Sequence, residues 1–122
     1  KQRDNEKLVK TIMSSSLTRT IAYKMVAGFA KDELFSGVTT IRTVGGLGNF
    51  DTRLRDEIES GTKLGPRILA ANQGISVPGG HMAGSVAVAA STIPDALKQL
   101  EKAKQEKVDL IKLMITGGVL FC

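Results

Sequence analysis

Val108-Asp109-Leu110-Ile111-Lys112-Leu113-Met114-Ile115-Thr116-Gly117-Gly118 reads as a short apolar strand closed by a glycine turn. Lys112 is the only polar residue within Leu110–Ile115. Side chains alternate across a strand, so Lys112 shares a face with Leu110 and Met114, opposite Ile111, Leu113 and Ile115. An apolar run of this kind is normally covered on both faces, as in a parallel sheet flanked by helices. An ammonium inside such a strand faces a large desolvation cost unless it is paired.

Working outward, the preceding segment supplies the expected crossover helix. Thr92-Ile93-Pro94-Asp95 has the form of a capping box with Pro in the first turn. The helix it opens places Ala96, Leu97, Leu100 and Ala103 inward, with Lys and Glu outward. Upstream, Gln73 to Ala90 reads as a long Gly-rich loop, and Gly65-Pro66 turns the chain into a strand over Arg67-Ile68-Leu69-Ala70-Ala71. Asp51 can cap a helix through Ser60, with Leu54 and Ile58 on one side and Gly61 as its stop. The β-branched run Val38-Thr39-Thr40-Ile41-Arg42-Thr43-Val44 reads as a strand, followed by a loop at residues 45–50.

Before it lies a helix from Leu17 to about Phe35, with Leu17, Ile21, Met25 and Phe29 every four residues beside Ala22 and Val26. Ser36-Gly37 closes it. Residues 5–14 form a shorter amphipathic helix carrying Leu8, Val9, Ile12 and Met13, and Ser14-Ser15-Ser16 offers caps between the two. The order helix–strand–helix–strand–helix–strand predicts the α/β class, with three parallel strands and flanking helices. That pattern fits a small open sheet or part of a (β/α)8 barrel, since three strands are too few for closure.

Composition narrows the function. The 122 residues suffice for one domain, and 42% hydrophobic with 24% charged residues is ordinary globular usage. Aromatics are only 4%, with no Trp, which disfavours a stacking surface for nucleic acid. The net charge of +5 is dispersed through mixed-sign stretches such as Lys98 to Lys107. No nucleic-acid partner is expected. Cys122 is the only cysteine, so no intrachain disulfide and no Cys-based zinc site can form. No apolar run approaches the ~20 residues that span a bilayer, and no signal-peptide core is present. A cytoplasmic protein without a membrane partner is the expectation, and the lack of a starting Met suggests a longer natural chain.

Four features could carry chemistry. Burial of Lys112 would favour its neutral amine, which can form a Schiff base or take up carbon dioxide as a metal-ligating carbamate. The alternative is a lysine near a strand end that reaches a carboxylate or solvent. His81 is the only histidine. It sits in a loop shaped by Pro78-Gly79-Gly80 and Gly84, where α/β ligand sites lie, yet a lone loop histidine is commonly a surface residue. One His cannot make a zinc site, because catalytic zinc usually takes three protein ligands. Gly45-Gly46-Leu47-Gly48 matches neither phosphate-loop spacing, and Asp51 would oppose a phosphate at the following helix start. Arg42, near the end of its strand, could face a carboxylate-bearing substrate or pair with a neighbouring acid.

Three stretches together resemble one branch of the amidohydrolase superfamily, the imidazolonepropionase-like and prolidase-like enzymes that include ochratoxinase. They are Ser36-Gly37-Val38-Thr39-Thr40-Ile41-Arg42-Thr43-Val44-Gly45-Gly46, Gly65-Pro66-Arg67-Ile68-Leu69 continued by Ile75-Ser76-Val77-Pro78-Gly79-Gly80-His81, and Val108 through Val119. The resemblance implies that residues 16–119 hold strands 2 to 4 of a (β/α)8 barrel, preceded by a helical segment at 1–15, in one partial catalytic domain over 1–122. It implies a carboxylated Lys112 bridging two divalent metals, usually zinc, with His81 and Arg42 toward a small amide or dipeptide substrate. The metals would activate a water against an amide carbonyl.

Thr43 stands where the family commonly has Asp, and the His-x-His pair, the later histidines and the catalytic Asp are absent. The expectation is therefore an internal piece of a metal-dependent hydrolase, inactive alone, with no metal bound and Lys112 unmodified. Its open apolar strand edges should drive homo-oligomerisation or association with the remaining barrel segments. The rival readings are a non-catalytic α/β assembly or binding module, and a complementing subunit of a split hydrolase. Substrate and metal identity are not written in the sequence.

Overall fold

The computed structural model describes residues 2–116. In chain order these form α1 (Gln2–Ser14), α2 (Ser16–Phe35), β1 (Thr40–Arg42), α3 (Phe50–Glu59), β2 (Arg67–Leu69), β3 (Gly74–Ser76), β4 (Ala87–Ala89), α4 (Ile93–Gln105) and β5 (Leu113–Met114). Every strand pairing among the described residues is parallel. β1 lies beside β2, with Thr40 opposite Arg67 and Arg42 opposite Leu69. β3 lies between β4 and β5, with Ser76 opposite both Ala89 and Met114. The α/β class and parallel pairing expected from the sequence are both present.

The caps were legible residue by residue. Ser15 accepts the Leu17 N–H through its hydroxyl and starts α2. Ser36 and Gly37 end it, Gly37 at φ 101, a conformation that favours glycine. Thr92 and Asp95 exchange both capping-box bonds at the start of α4, with Pro94 in its first turn. Asp51 is different. Asn49 is the N-cap of α3, and Asp51 lies inside the first turn, buried to 6% exposure. Its carboxylate packs against Gly46, where any Cβ would collide with it.

The core joins α2 and α3 to the first strand pair. Tyr23 and Ala30 meet Phe50, Leu54, Ile68 and Ala70, with Val26, Ile41 and Ile58 packed around them. The Tyr23 and Phe50 rings meet edge to face at 5.3 Å. The Tyr23 hydroxyl donates to Glu57 Oε2 at 2.7 Å, and the Arg53 guanidinium lies 4.0 Å from its ring centroid. Burial, then the Glu57 carboxylate, holds the Tyr23 hydroxyl well above the usual phenol range.

Several expectations need correction. The stripe Leu17, Ile21, Met25 and Phe29 is not the buried face of α2, since each is more than half exposed. The helix turns Tyr23 and Ala30 inward because the aromatic pair and the Glu57 bond lie on that side. Likewise α4 has no buried residue, and Leu97 and Leu100 are exposed. The strands are shorter than 38–44, 67–71 and 110–115. The Gly-rich segment 73–90 is not all loop, because it contains β3 and β4. Ile111, Leu113 and Ile115 are exposed, so β5 is covered less than an apolar run implies. The expected closing turn at Gly117-Gly118 and the end of the third motif lie outside the described residues.

Candidate functional site

Parity along the strands decides which side chains share a face. On β1 and β2, Ile41, Ile68 and Ala70 pack toward α2 and α3, so Arg42 and Leu69 point away from the helices. The chain then bends at Asn72, which takes φ 56. Asn72 is 1% exposed and turned toward the helices. Its Oδ1 accepts the Thr52 N–H at 3.0 Å, and its Nδ2 donates to Thr52 Oγ1 at 3.0 Å and Glu106 Oε2 at 2.9 Å. The next residue, Gln73, also reaches α4, accepting from Lys102 Nζ at 3.1 Å. Two successive residues on one side reset the alternation, as at a bulge. Gly74 and Ser76 therefore point to the helix-free face.

Lys112 belongs to that face. It is half-buried just before β5, while Ile111 and Leu113 on either side are exposed, the alternation expected for it with Leu110 and Met114. Its carbonyl accepts the Ile75 N–H at 2.8 Å, which locks its register. Its side chain crosses Gly74, where a Cβ would sit 3.3 Å from the Lys112 Cγ and 3.3 Å from the Met114 Cε. Farther along, a Cβ at Gly45 would sit 3.6 Å from Val86 and 3.9 Å from Met114. The loop after β1 thus meets the end of β5 there.

Asp109 sets the approach of the Lys112 segment. Its Oδ2 accepts the Ala70 N–H and Arg55 Nη1, each at 2.8 Å, while its own N–H donates to the Ala70 carbonyl at 2.8 Å. Arg55 is buried, and Nη1 also donates to the Lys107 carbonyl at 2.8 Å. The Ala70 N–H first, then Arg55, hold the Asp109 carboxyl below the usual range. Asp109, Asn72 and the buried Ser76 had no role assigned from the sequence. The available signals were an acid opening an apolar strand and an Asn, tolerant of positive φ, closing another.

Arg42 also points away from the helices, on β1 of the two-stranded sheet, while Lys112 precedes β5 of the separate three-stranded sheet. Arg42 is the more open of the two. It is exposed, and neither residue is ion-paired within the described residues. The alternative that Arg42 pairs with a neighbouring acid is therefore not realised here. His81 is exposed in the loop after β3, at the end of the sheet where parallel α/β proteins bind ligands. No His81 side-chain hydrogen bond occurs among the described residues. The structure thus turns Lys112 and Arg42 away from the helices on separate sheets, with His81 in the loop after β3 and no direct contact among them.

A metal centre needs more donors than these. No group of three or more His, Cys, Asp and Glu residues suited to hold a metal occurs among the described residues. Lys112 and His81 are single donors on separate elements, so the residues present do not fit a complete centre. No described helix is long and apolar enough to cross a membrane.

The fold and this face define a parallel α/β segment with Lys112 and Arg42 turned away from the helices and His81 in the loop after β3. Solved structures carry the comparison further. A candidate prolidase from Bifidobacterium longum is 42% identical, with a TM-score of 0.64, over 74% of this chain and 22% of its own. An amidohydrolase is 25% identical, with a TM-score of 0.66, over 76% of this chain and 27% of its own. An uncharacterized protein, 22% identical with a TM-score of 0.73 over 94% of this chain and 30% of its own, shares the fold. These neighbours place the chain's likeness in the amidohydrolase superfamily, a hydrolase family, over a partial region. The chain spans less than a third of the length of each. No protein-family model matches it, and no curated protein does.

Proposed function

We propose that this chain is a segment of a metal-dependent hydrolase of C–N bonds. In that reading its parallel strands belong to a (β/α)8 barrel, and Lys112, carboxylated in the complete protein, is a bridging ligand to divalent metal, with zinc the leading choice. Arg42 and His81 are then substrate contacts for a small amide or dipeptide. A free carboxylate on the substrate would give Arg42 the counter-ion that it lacks among the described residues.

One observation supports this reading above the others. Lys112 lies on the helix-free face, across Gly74, in a chain 42% identical to a candidate prolidase. The described residues lack the remaining donors, so those would come from chain beyond residues 2–116. No reaction step is assigned to this segment alone.

The test is zinc content and hydrolysis of N-acyl amino acids and dipeptides. It is run on this chain and on a version extended to the length of the solved neighbours. Metal and turnover are expected only in the extended protein, and Lys112→Ala should cost at least ~100-fold in rate there. Undiminished turnover in the extended Lys112→Ala protein would overturn the assignment.

A further inference from the structure

The side of β1 and β2 that faces the helices is not packed solid. A cavity of about 190 Å³ lies there between α2 and α3, across the strands from Arg42. Phe29, Ile41, Leu54 and Ile68 give it apolar walls, and Ala30 lines it as well. A cavity of about 150 Å³ can hold a benzene ring, so this one suits a hydrocarbon body of about six carbons.

Two acids interrupt the apolar lining. Asp51 is 6% exposed, and its Oδ2 has no hydrogen-bond partner. Thr43 lies two residues beyond Ile41 and so on the same side of the chain. Its Oγ1 accepts the Ala71 N–H at 3.2 Å, which leaves the hydroxyl proton for the Asp51 carboxyl. Glu33 adds a second carboxylate, exposed and without an ion pair among the described residues. No basic side chain lines the cavity among the described residues. Exposure orients the space: Phe29 is 62% exposed and Glu33 is open, so the mouth lies on α2 and Asp51 stands at the deep end.

A buried carboxylate oxygen is costly unless it is paired. Water is a poor complement here, because an ordered water needs about two to four polar partners and the deep end offers Asp51 and Thr43 alone. A cationic donor that carries its own apolar body answers both the charge and the walls.

We propose that this cavity binds a small amphipathic amine, with its ammonium on Asp51 and its hydrocarbon among Phe29, Ile41, Leu54 and Ile68. The site is separate from the Lys112 face and does not depend on the hydrolase reading.

The test is titration of the 122-residue chain at pH 8 with cyclohexylamine, cyclohexanol and cyclohexanecarboxylate, three ligands of one shape that differ in the polar group. Binding is read from the methyl resonances of Ile41, Leu54 and Ile68. The amine should bind at least about tenfold more tightly than the alcohol, and the carboxylate more weakly than both. Asp51→Asn keeps the shape of the cavity, so it should abolish the preference for the amine and leave the alcohol's affinity within about twofold. Ala30→Leu fills the cavity and should weaken the amine by about tenfold or more, with circular dichroism checking the fold. If Ala30→Leu does not fold, the Asp51 comparison decides. Equal affinity for amine and alcohol in the wild type, or a preference that survives Asp51→Asn, would overturn the proposal.

Discussion

Replacing Asp109 by Ala removes two bonds made by one carboxylate oxygen, and the structure sets the size of the loss. The Ala70 N–H, on a residue of 0% exposure, is left without its acceptor, a loss of about 1–3 kcal/mol. Arg55 loses its partner across the sheet but keeps the Lys107 carbonyl and Asp56. Asp109 is 34% exposed, so its ion pair is discounted for solvent screening, and the total falls at roughly 2–3 kcal/mol.

The pH dependence follows from the direction of the shift. The folded carboxyl lies below its unfolded value of about 3.9. Its contribution is therefore fully present above pH 4 and is lost as pH falls through the lower folded value. Urea unfolding of wild type and Asp109→Ala from pH 7 to pH 3 measures both quantities. The gap should be widest at neutral pH and shrink in acid, with Asp109→Asn between the two. A cost below about 0.5 kcal/mol at pH 7, or a gap that does not change with pH, would refute the reasoning. The variant should also quicken hydrogen exchange of the Ile75 N–H, because Asp109 aligns the segment whose Lys112 carbonyl accepts it.

Substitutions at three further positions probe the same framework. Asp51→Asn should stabilise the chain at neutral pH by about 1 kcal/mol, because the buried Asp51 Oδ2 has no hydrogen-bond partner. Burial raises the Asp51 carboxyl, a shift that Thr43 only partly opposes, so wild type should lose stability as pH rises from the unfolded value through the folded one. Denaturation across pH 4–8 checks this, and a destabilised Asp51→Asn contradicts it. Asn72→Ala should cost roughly 2–4 kcal/mol, losing three side-chain bonds and straining a positive φ, while Asn72→Gly should recover the backbone part in thermal unfolding. Gly74→Ala meets two flexible side chains at 3.3 Å, so its stability should stay within about 1 kcal/mol of wild type. Its signature should be faster Lys112 acylation, and an unchanged rate would mean that the lysine does not lie across Gly74.

Residue type and spacing determined the helices and the starts of α2 and α4. Thr92 and Asp95 can satisfy each other wherever the helix lies, as can Ser15 with Leu17, because caps involve only near neighbours in the chain. The α/β class, the parallel pairing and the face of Lys112 were legible for a similar reason. A period of two assigns Lys112, Leu110 and Met114 to one side before any partner strand is known.

Tertiary structure decided which of those faces became buried. An i, i+4 stripe such as Leu17, Ile21, Met25 and Phe29 shows that a helix has an apolar side, but not that the described chain covers it. Tyr23 was chosen instead because Phe50 and Glu57, 27 and 34 residues away, lie opposite it. The same holds for Asn72, whose partners Thr52 and Glu106 are 20 and 34 residues distant, and for Asp109 with Ala70 and Arg55. Strands β3 and β4 escaped notice because Gly74 and Ala87 have no side-chain pattern to announce a strand. Their hydrogen bonds become possible only when β5 and the Asn72 bend bring the backbones together. Bonds between near neighbours can be read from the chain alone, whereas the bend, the buried Asp51 carboxylate and the surroundings of Lys112 depend on groups that only folding brings within reach.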